Sequence, residues 1–180
     1  MKNRKFKAGD DFPRITLSKV GGGELTLGEP ANGHDWQMVV VYRGKHCPLC
    51  TRYLTQLEQI KESFYKTGVD VVAVSADGET KASAHVKKMG LSFPVAYDLS
   101  IEQMQTLGLY ISHPRSQLET DRPFAEPGIY VINDNGQVQI TDVSNAPFAR
   151  PELEHLASGI GFIRDANNNY PIRGTYEQEQ

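Results

Sequence analysis

The fold is decided by one stretch of the chain, Met38-Val39-Val40-Val41-Tyr42-Arg43-Gly44-Lys45-His46-Cys47-Pro48-Leu49-Cys50. Its first half is an uninterrupted apolar run, which is typical of a strand buried on both faces. From Pro48 onward, apolar residues recur at helical spacing until Gly68, which is placed like a C-terminal helix cap. A second apolar run at 69–74 completes a strand–helix–strand unit.

The rest of the chain extends this unit on both sides. Short strands at 15–17 and 24–27 flank three glycines and predict a hairpin, and helices are expected at 79–89 and 100–107 with a strand at 93–97 between them. After an irregular segment at 112–126, strands at 129–132 and 137–140 flank Asn135-Gly136, a pair that favours a type I′ turn. A last helix is expected to start with Pro151 as its first residue.

This element order predicts an α/β protein with a thioredoxin-like fold. We expect a central mixed sheet flanked by helices, with an N-terminal β-hairpin extension. The predicted boundaries are a basic, solvated tail at 1–8, one domain at 9–162 and a C-terminal extension at 163–180.

Composition narrows the classes of function. The 180 residues are 39% hydrophobic and 23% charged, as in a globular domain, and the net charge is −3. This charge gives no reason to expect nucleic acid or a membrane surface as a partner. No apolar segment follows the basic N-terminus, so we expect a cytoplasmic protein, in which a C-x-x-C pair is catalytic or binds metal more often than it is structural.

The two cysteines are the only ones in the chain, and their setting favours redox chemistry. Pro48 suits the first helical position, which places Cys47 at an exposed N-cap and Cys50 in the first turn. The Cys50 amide can then donate to the Cys47 sulfur, and the helix N-terminus lowers a thiol pKa. Lys45 and His46 add positive charge or proton-transfer capacity.

Two other interpretations of the cysteines are weaker. Inert, buried thiols are one of them. A zinc site is the other, but it needs about four ligands. The chain has no second C-x-x-C, and its histidines show no paired ligand spacing (His34, His46, His85, His113 and His155). No metal and no cofactor is therefore predicted.

Three motifs resemble a known family. The segment 42–50 is similar to the Y-R-G-x-W-C-P-x-C motif of peroxiredoxin-like proteins of the alkyl hydroperoxide reductase / thiol-specific antioxidant (AhpC/TSA) family. The segment 9–17 resembles the family's opening G-x-x-x-P-x-x-x-L, and 126–133 resembles its P-x-x-F-V-I-D strand. The resemblance covers about residues 9–160 and implies a thiol-dependent oxidoreductase.

The resemblance implies two different roles for the cysteines. Aligned on thioredoxin-like oxidoreductases, Cys47 attacks, Cys50 resolves and Pro127 corresponds to the cis-proline that faces the dithiol. Aligned on peroxiredoxins, Cys50 is the peroxidatic cysteine and Cys47 stands at the Thr/Ser position. Arg43 then stands at the family's proline position, and Pro127 at that of its later arginine.

Several supporting residues depart from both patterns. His46 replaces the usual tryptophan, and Val41 stands where thioredoxins bury an acid. Glu126, beside Pro127, is a candidate proton acceptor for Cys50. Arg115 or Arg122 could replace the missing arginine, although solvated loop charges are the simpler interpretation.

The sequence thus predicts an antioxidant thiol–disulfide oxidoreductase that cycles a Cys47–Cys50 disulfide. The first alternative is a thiol peroxidase in which Cys50 forms a sulfenic acid that Cys47 resolves, and the second is a non-enzymatic redox sensor. The expected partners are a disulfide or hydroperoxide substrate and an external dithiol reductant of the thioredoxin or glutathione type. A homodimer is one option for its assembly.

Overall fold

The computed structural model describes residues 5–177 and is built on a five-stranded mixed sheet of order β5-β4-β3-β8-β9. In this sheet β3 (Trp36–Val41), β4 (Val69–Val74) and β5 (Val95–Ala96) are parallel, whereas β8 (Gly128–Ile132) and β9 (Val138–Val143) are antiparallel additions. The other strands form two small antiparallel pairs: β1 (Ile15–Ser18) with β2 (Glu24–Leu27), and β6 (Ile111–Ser112) with β7 (Phe124–Ala125). The helices are α1 (Pro48–Tyr65), α2 (Glu79–Met89), α3 (Ile101–Thr106) and α4 (Leu153–Arg164).

Helices flank the sheet because β3 alternates between two apolar cores. Met38 and Val40 join one core with the buried residues of α1 and α4, such as Leu57 and Ile160. Val39 joins the other, which holds residues of α3 and of the β1–β2 hairpin. The predicted central mixed sheet with an N-terminal hairpin is confirmed.

The single tryptophan lies at the start of β3, far along the strand from the cysteines. Trp36 is 6% exposed, and the Arg164 guanidinium stacks over its ring at 4.5 Å. Arg164 also pairs with Asp35 at 2.6 Å, which ties the end of α4 to the start of β3. The domain boundary predicted after residue 162 falls inside α4, because this helix continues to Arg164.

Two local predictions are wrong. Pro151 is not the first helical residue, because Glu152 is the N-cap and the Pro151 carbonyl accepts a hydrogen bond from Tyr53. The turn at Asn135-Gly136 is not type I′, since only Gly136 has a positive φ, of 74°. The Asn133 side chain accepts from the amides of residues 135 and 137 and so holds a different turn.

The predicted solvated tail is also wrong where the structure describes it. Phe6 packs against Phe12 and Tyr130, with both ring-centroid distances at 5.9 Å. Residues 1–4 of that predicted tail, and 178–180 of the C-terminal extension, lie outside the described residues.

Among residues 5–177, no helix is both long and apolar enough to cross a lipid bilayer.

Candidate active site

The two cysteines lie at one edge of the central sheet. β3 and β4 are parallel and end side by side, so the loops that follow them leave from the same edge. β8 is antiparallel and begins opposite Val41, which brings the segment before it to that edge as well. Residues 42–47, 75–77 and 124–127 therefore converge at the N-terminal end of α1.

Cys47 caps α1, as the sequence predicts. Its backbone is extended, Pro48 is the first helical residue, and the Cys50 amide donates to the Cys47 sulfur at 3.2 Å. This is the position that Ser or Asp usually takes, where a side-chain acceptor satisfies an unpaired helical amide. A thiolate there is also stabilised by the positive end of the helix dipole.

Both cysteines are free and buried. Cys47 is 1% exposed and Cys50 is 0% exposed, so the expectation of an exposed Cys47 is wrong. Both belong to the buried core that also holds residues distant in sequence, such as Ile129 and Leu153, so these segments cover the pair. A substrate can reach either sulfur only after a local opening.

The two thiols have opposite pKa shifts. The pKa of Cys47 is lowered, first because the Cys50 thiol donates a hydrogen bond to its sulfur, with further contributions from the Cys50 amide and the Arg43 guanidinium that outweigh burial. The same thiol–thiol contact, together with burial, raises the pKa of Cys50. Cys47 is therefore the thiolate of the pair and Cys50 its proton-bearing partner.

Arg43 and Glu126 form an ion pair beside the dithiol. The Arg43 Nε and Glu126 Oε2 atoms are 3.2 Å apart, although not in hydrogen-bonding geometry, and the Arg43 guanidinium stacks over Phe124. Glu126 is 5% exposed, and its other carboxylate oxygen accepts from Ser112 at 2.7 Å. Its contacts thus go to Arg43 and Ser112 and not to Cys50, so its role as proton acceptor stays a prediction.

Pro127 follows Glu126 at the same edge, but its peptide bond is trans, since residues 5–177 contain no cis bond. The expected cis-proline is therefore wrong. The Pro127 carbonyl accepts from the Ser144 amide at 3.1 Å, which ties the start of β8 to the segment after β9.

His46 stands at the tryptophan position of the resembled motif, and the polar atoms of its ring are shielded from water. Both ring nitrogens are buried and have no hydrogen-bond partner among residues 5–177. Burial lowers the pKa of His46, so the ring is neutral near pH 7. A neutral imidazole has one donor and one acceptor, and at His46 a bound molecule can use them only after a local opening.

Arg150 is the main site residue that sequence reasoning missed. Its Nη1 lies 3.5 Å from the Cys50 sulfur, and its guanidinium stacks over the Tyr53 ring at 4.4 Å. This charge is among the causes that lower the pKa of Cys50 and partly offsets the rise. No local signal could have found it, because it lies 100 residues from Cys50 in the sequence.

Asp77 is a second residue that was missed. It is 2% exposed, and its carboxylate accepts from the Lys45 amide at 2.7 Å, which fixes the loop before Cys47. The same carboxylate lies against Gly44, whose φ is 135° and where a Cβ would lie 2.7 Å from Asp77 Oδ1. The loop therefore depends on glycine at this position.

His85 lies beneath α1 and is 1% exposed. Its Nε2 is 2.8 Å from the Thr51 hydroxyl, which in turn donates to the Cys47 carbonyl at 3.3 Å. Burial lowers the pKa of His85 to about 4, so it is neutral under ordinary conditions. His85 is therefore a packed, neutral residue of the interior.

The two arginines proposed to replace the family's later arginine do not reach the dithiol. Arg115 pairs with Glu119, and Arg122 pairs with Asp98 and Asp121. Besides Arg43, the arginine at the dithiol is Arg150, whose guanidinium contacts the Cys50 sulfur.

A comparison with protein families matches residues 7–156 to the family described as Redoxin. The chain belongs to the redoxin family. Membership covers most of the chain and confirms the resemblance to peroxiredoxin-like proteins that the motifs around Cys47 and Pro127 indicate.

The relatives of this redoxin chain include both expected classes. A thiol-disulfide oxidoreductase ResA from Halalkalibacterium halodurans is 27% identical over 73% of this chain and 66% of its own length. A peroxiredoxin from Treponema denticola is 23% identical over 89% of this chain and 75% of its own length. The chain thus spans slightly less than two thirds of the first relative.

Solved structures show the same fold. Peroxiredoxin 6 of Arenicola marina, as a cysteine-to-serine mutant, superposes with a TM-score of 0.75 at 18% identity and covers 90% of this chain and 75% of its own. A peroxiredoxin-like protein from Aquifex aeolicus gives 0.72 at 17% identity and covers 87% of both chains. The thioredoxin-like fold is confirmed, and family and relatives together support a thiol-dependent oxidoreductase.

Proposed function

We propose that this protein is a thiol–disulfide oxidoreductase in which Cys47 is the attacking thiolate. The observation that carries the proposal is the hydrogen bond from the Cys50 amide to the Cys47 sulfur at the N-terminus of α1. That contact stabilises the thiolate of Cys47, whereas Cys50 is deeper and keeps its proton.

The reaction takes two exchange steps. The Cys47 thiolate attacks one sulfur of a substrate disulfide, so that a Cys47–substrate bond forms and the other half leaves as a thiolate. Cys50 then loses its proton and attacks the Cys47 sulfur, which expels the second half as a thiolate and forms the Cys47–Cys50 disulfide. Two electrons pass from the protein dithiol to the substrate.

The surrounding residues have positioning roles in this scheme. Pro48 sets the helix start, Arg43 supports the Cys47 thiolate, and Arg150 supports the Cys50 thiolate when Cys50 attacks. An external dithiol of the thioredoxin or glutathione type, acting in the cytoplasm, would return the disulfide to the dithiol.

A peroxidase is the second candidate, and the Arg150 contact with Cys50 favours it. In that reaction the Cys50 thiolate attacks a peroxide oxygen, which gives a Cys50 sulfenic acid and an alcohol or water. Cys47 then attacks the sulfenic sulfur, releases water and forms the same disulfide. The raised pKa of Cys50 opposes this order of events. A redox sensor would use the same disulfide without multiple turnover.

Single-cysteine variants separate these functions. With Cys50→Ser, we expect a stable mixed disulfide on Cys47 after addition of a small disulfide, detected as an adduct by mass spectrometry. With Cys47→Ser, substoichiometric hydrogen peroxide should give no sulfenic acid on Cys50 faster than on a free thiol. Fast sulfenic acid formation on Cys50, trapped with a dimedone-type reagent, would establish the peroxidase instead. Reaction of neither variant would reject both enzymatic functions.

A further inference from the structure

A cavity of about 400 Å³ is lined in part by Lys45 and His46, the two residues that precede Cys47, and we call it the basic cavity. Its lining includes Lys45, His46, Lys81, Arg115 and Glu119, with the side chain of Leu118 98% exposed at its wall. This volume is within the range that holds small-molecule ligands.

Positively charged side chains are concentrated in the lining of the basic cavity, although the protein as a whole is acidic. Its lining holds three cations and one carboxylate, whereas the whole chain carries a net charge of −3. Arg115 pairs with Glu119, and Lys81 pairs with the nearby Asp121. The Lys45 ammonium is exposed and has no ion pair within residues 5–177, so its charge is free to act on a ligand.

The basic cavity is connected to Cys47 through residues already described. His46 precedes Cys47 and is part of the cavity lining, although its two ring nitrogens are buried. The Glu119 carboxylate, also in the lining, lies 3.9 Å from the Arg43 guanidinium, and Arg43 in turn supports the Cys47 thiolate. A molecule seated in the cavity therefore contacts His46, which adjoins Cys47, and Glu119, which pairs with Arg43.

We propose that the basic cavity selects small disulfides that carry a carboxylate, whose anionic end is held by Lys45 while the disulfide meets Cys47 once a local opening has exposed this buried sulfur. This inference rests on the proposed oxidoreductase function and adds the substrate class to it. In the reaction, the Cys47 thiolate bonds to one substrate sulfur, the carboxylate-bearing half leaves as a thiolate, and Cys50 then releases the second half and closes the internal disulfide.

A charge series of small symmetrical disulfides tests the proposal. Prereduced full-length protein is mixed with 3,3′-dithiodipropionate, 2-hydroxyethyl disulfide or cystamine, which are anionic, neutral and cationic, respectively. The loss of free protein thiols is followed by acid quenching, alkylation and mass spectrometry. Each rate constant is divided by that of dithiothreitol with the same compound, which removes differences in intrinsic reactivity.

At low salt the anionic compound should react about tenfold faster than the cationic one, with the neutral compound between them. The preference should disappear at about 1 M salt, where the screening length falls to about 3 Å. Lys45→Gln should reduce the anionic-to-neutral ratio about threefold. This ratio is informative even if Lys45 also affects the reactivity of Cys47, because such an effect applies to all three compounds.

Lys66→Gln is the matched control, since it makes the same change of charge at an exposed lysine at the far end of α1. That position is about 28 Å from Cys47 at 1.5 Å per helical residue. Its anionic-to-neutral ratio should equal that of the wild type. Equal rates for the three compounds, or equal effects of the two lysine variants, would overturn the basic cavity as a selector and leave the thiol chemistry in place. No reaction with any of the three would overturn the proposed function and this inference with it.

Discussion

Replacing Arg150 by methionine should slow the second exchange step and leave the first nearly unchanged. The Arg150 guanidinium lies 3.5 Å from the Cys50 sulfur, and its charge favours the Cys50 thiolate. Once Cys47 is in a mixed disulfide, it no longer accepts the Cys50 proton, and Arg150 becomes a main group that favours ionisation of Cys50. Methionine keeps an apolar contact with Tyr53 but removes the charge.

The distance sets the size of the effect. At 3.5 Å two unit charges interact by about 1 kcal/mol at the dielectric constant of water and by about 5 kcal/mol at an effective value of 20. These energies correspond to a rise of about 1 to about 3.5 units in the pKa of Cys50. A higher pKa lowers the thiolate fraction but raises nucleophilicity by about half as much in logarithmic terms. The net slowing is therefore between about threefold and about sixtyfold.

Both steps can be measured in one reaction. With 5,5′-dithiobis(2-nitrobenzoate), attack by Cys47 releases one coloured thiolate and attack by Cys50 releases the second. In stopped-flow absorbance, Arg150→Met should keep the first phase and slow the second. Cys50→Ser should give the first phase alone, and Arg150→Lys should restore much of the second, because it keeps a positive charge.

A second phase of wild-type rate in Arg150→Met would refute the reasoning. It would mean that Arg150 has no electrostatic effect on Cys50 at the moment of attack. Slowing of both phases to the same degree would instead indicate a general disturbance of the site, which thermal unfolding of the variant would reveal.

Three further outcomes are expected. The rate at which iodoacetamide reacts with the reduced protein, measured against pH, should give Cys47 a pKa below the value of about 8.5 of free cysteine. Cys50→Ala should raise the pKa of Cys47, because it removes the thiol donor. A Cys47 that titrates like free cysteine contradicts the thiolate assignment. His85 is neutral when folded and has a pKa lowered to about 4, so between pH 6.5 and 5 the unfolded chain binds a proton that the native state does not, and the free energy of unfolding should fall by up to about 2 kcal/mol. Urea unfolding of His85→Gln should show a loss smaller by that amount, and identical losses in both proteins would disprove it. Gly44→Ala should destabilise the protein more than Gly33→Ala in thermal unfolding, because both positions have positive φ, but only at Gly44 would the new Cβ meet a side chain, that of Asp77; equal effects would mean that the contact with Asp77 is unimportant.

The sequence predicts best those features that depend on neighbours along the chain. β4 and α2 begin and end at the predicted residues, because an apolar run defines the first and Gly90, in the left-handed conformation, ends the second. The thiol cap of α1 is also local, since Pro48 and the amide of Cys50 are sufficient to specify it.

Apart from the turn at Asn135-Gly136, which the nearby Asn133 side chain holds, the features that failed depend on distant contacts. Cys47 is buried because segments far away in sequence cover it, and Arg150 reaches Cys50 only through the fold. Where the prediction at Pro151 failed, a hydrogen bond from Tyr53 to its carbonyl holds that residue outside the helix. Periodicity and local propensity contain no information on such contacts.

The position of Trp36 decides how this protein can be observed in solution. The strand that begins with Trp36 is about 17 Å long, at about 3.3 Å per residue, and the cysteines lie beyond its other end. Its fluorescence will therefore report the opening of the core near Arg164 and change little when the thiols are oxidised. Unfolding can thus be followed optically while the thiol state is followed chemically in the same sample. A fluorophore sensitive to oxidation would need a tryptophan at the dithiol, and His46→Trp would supply one.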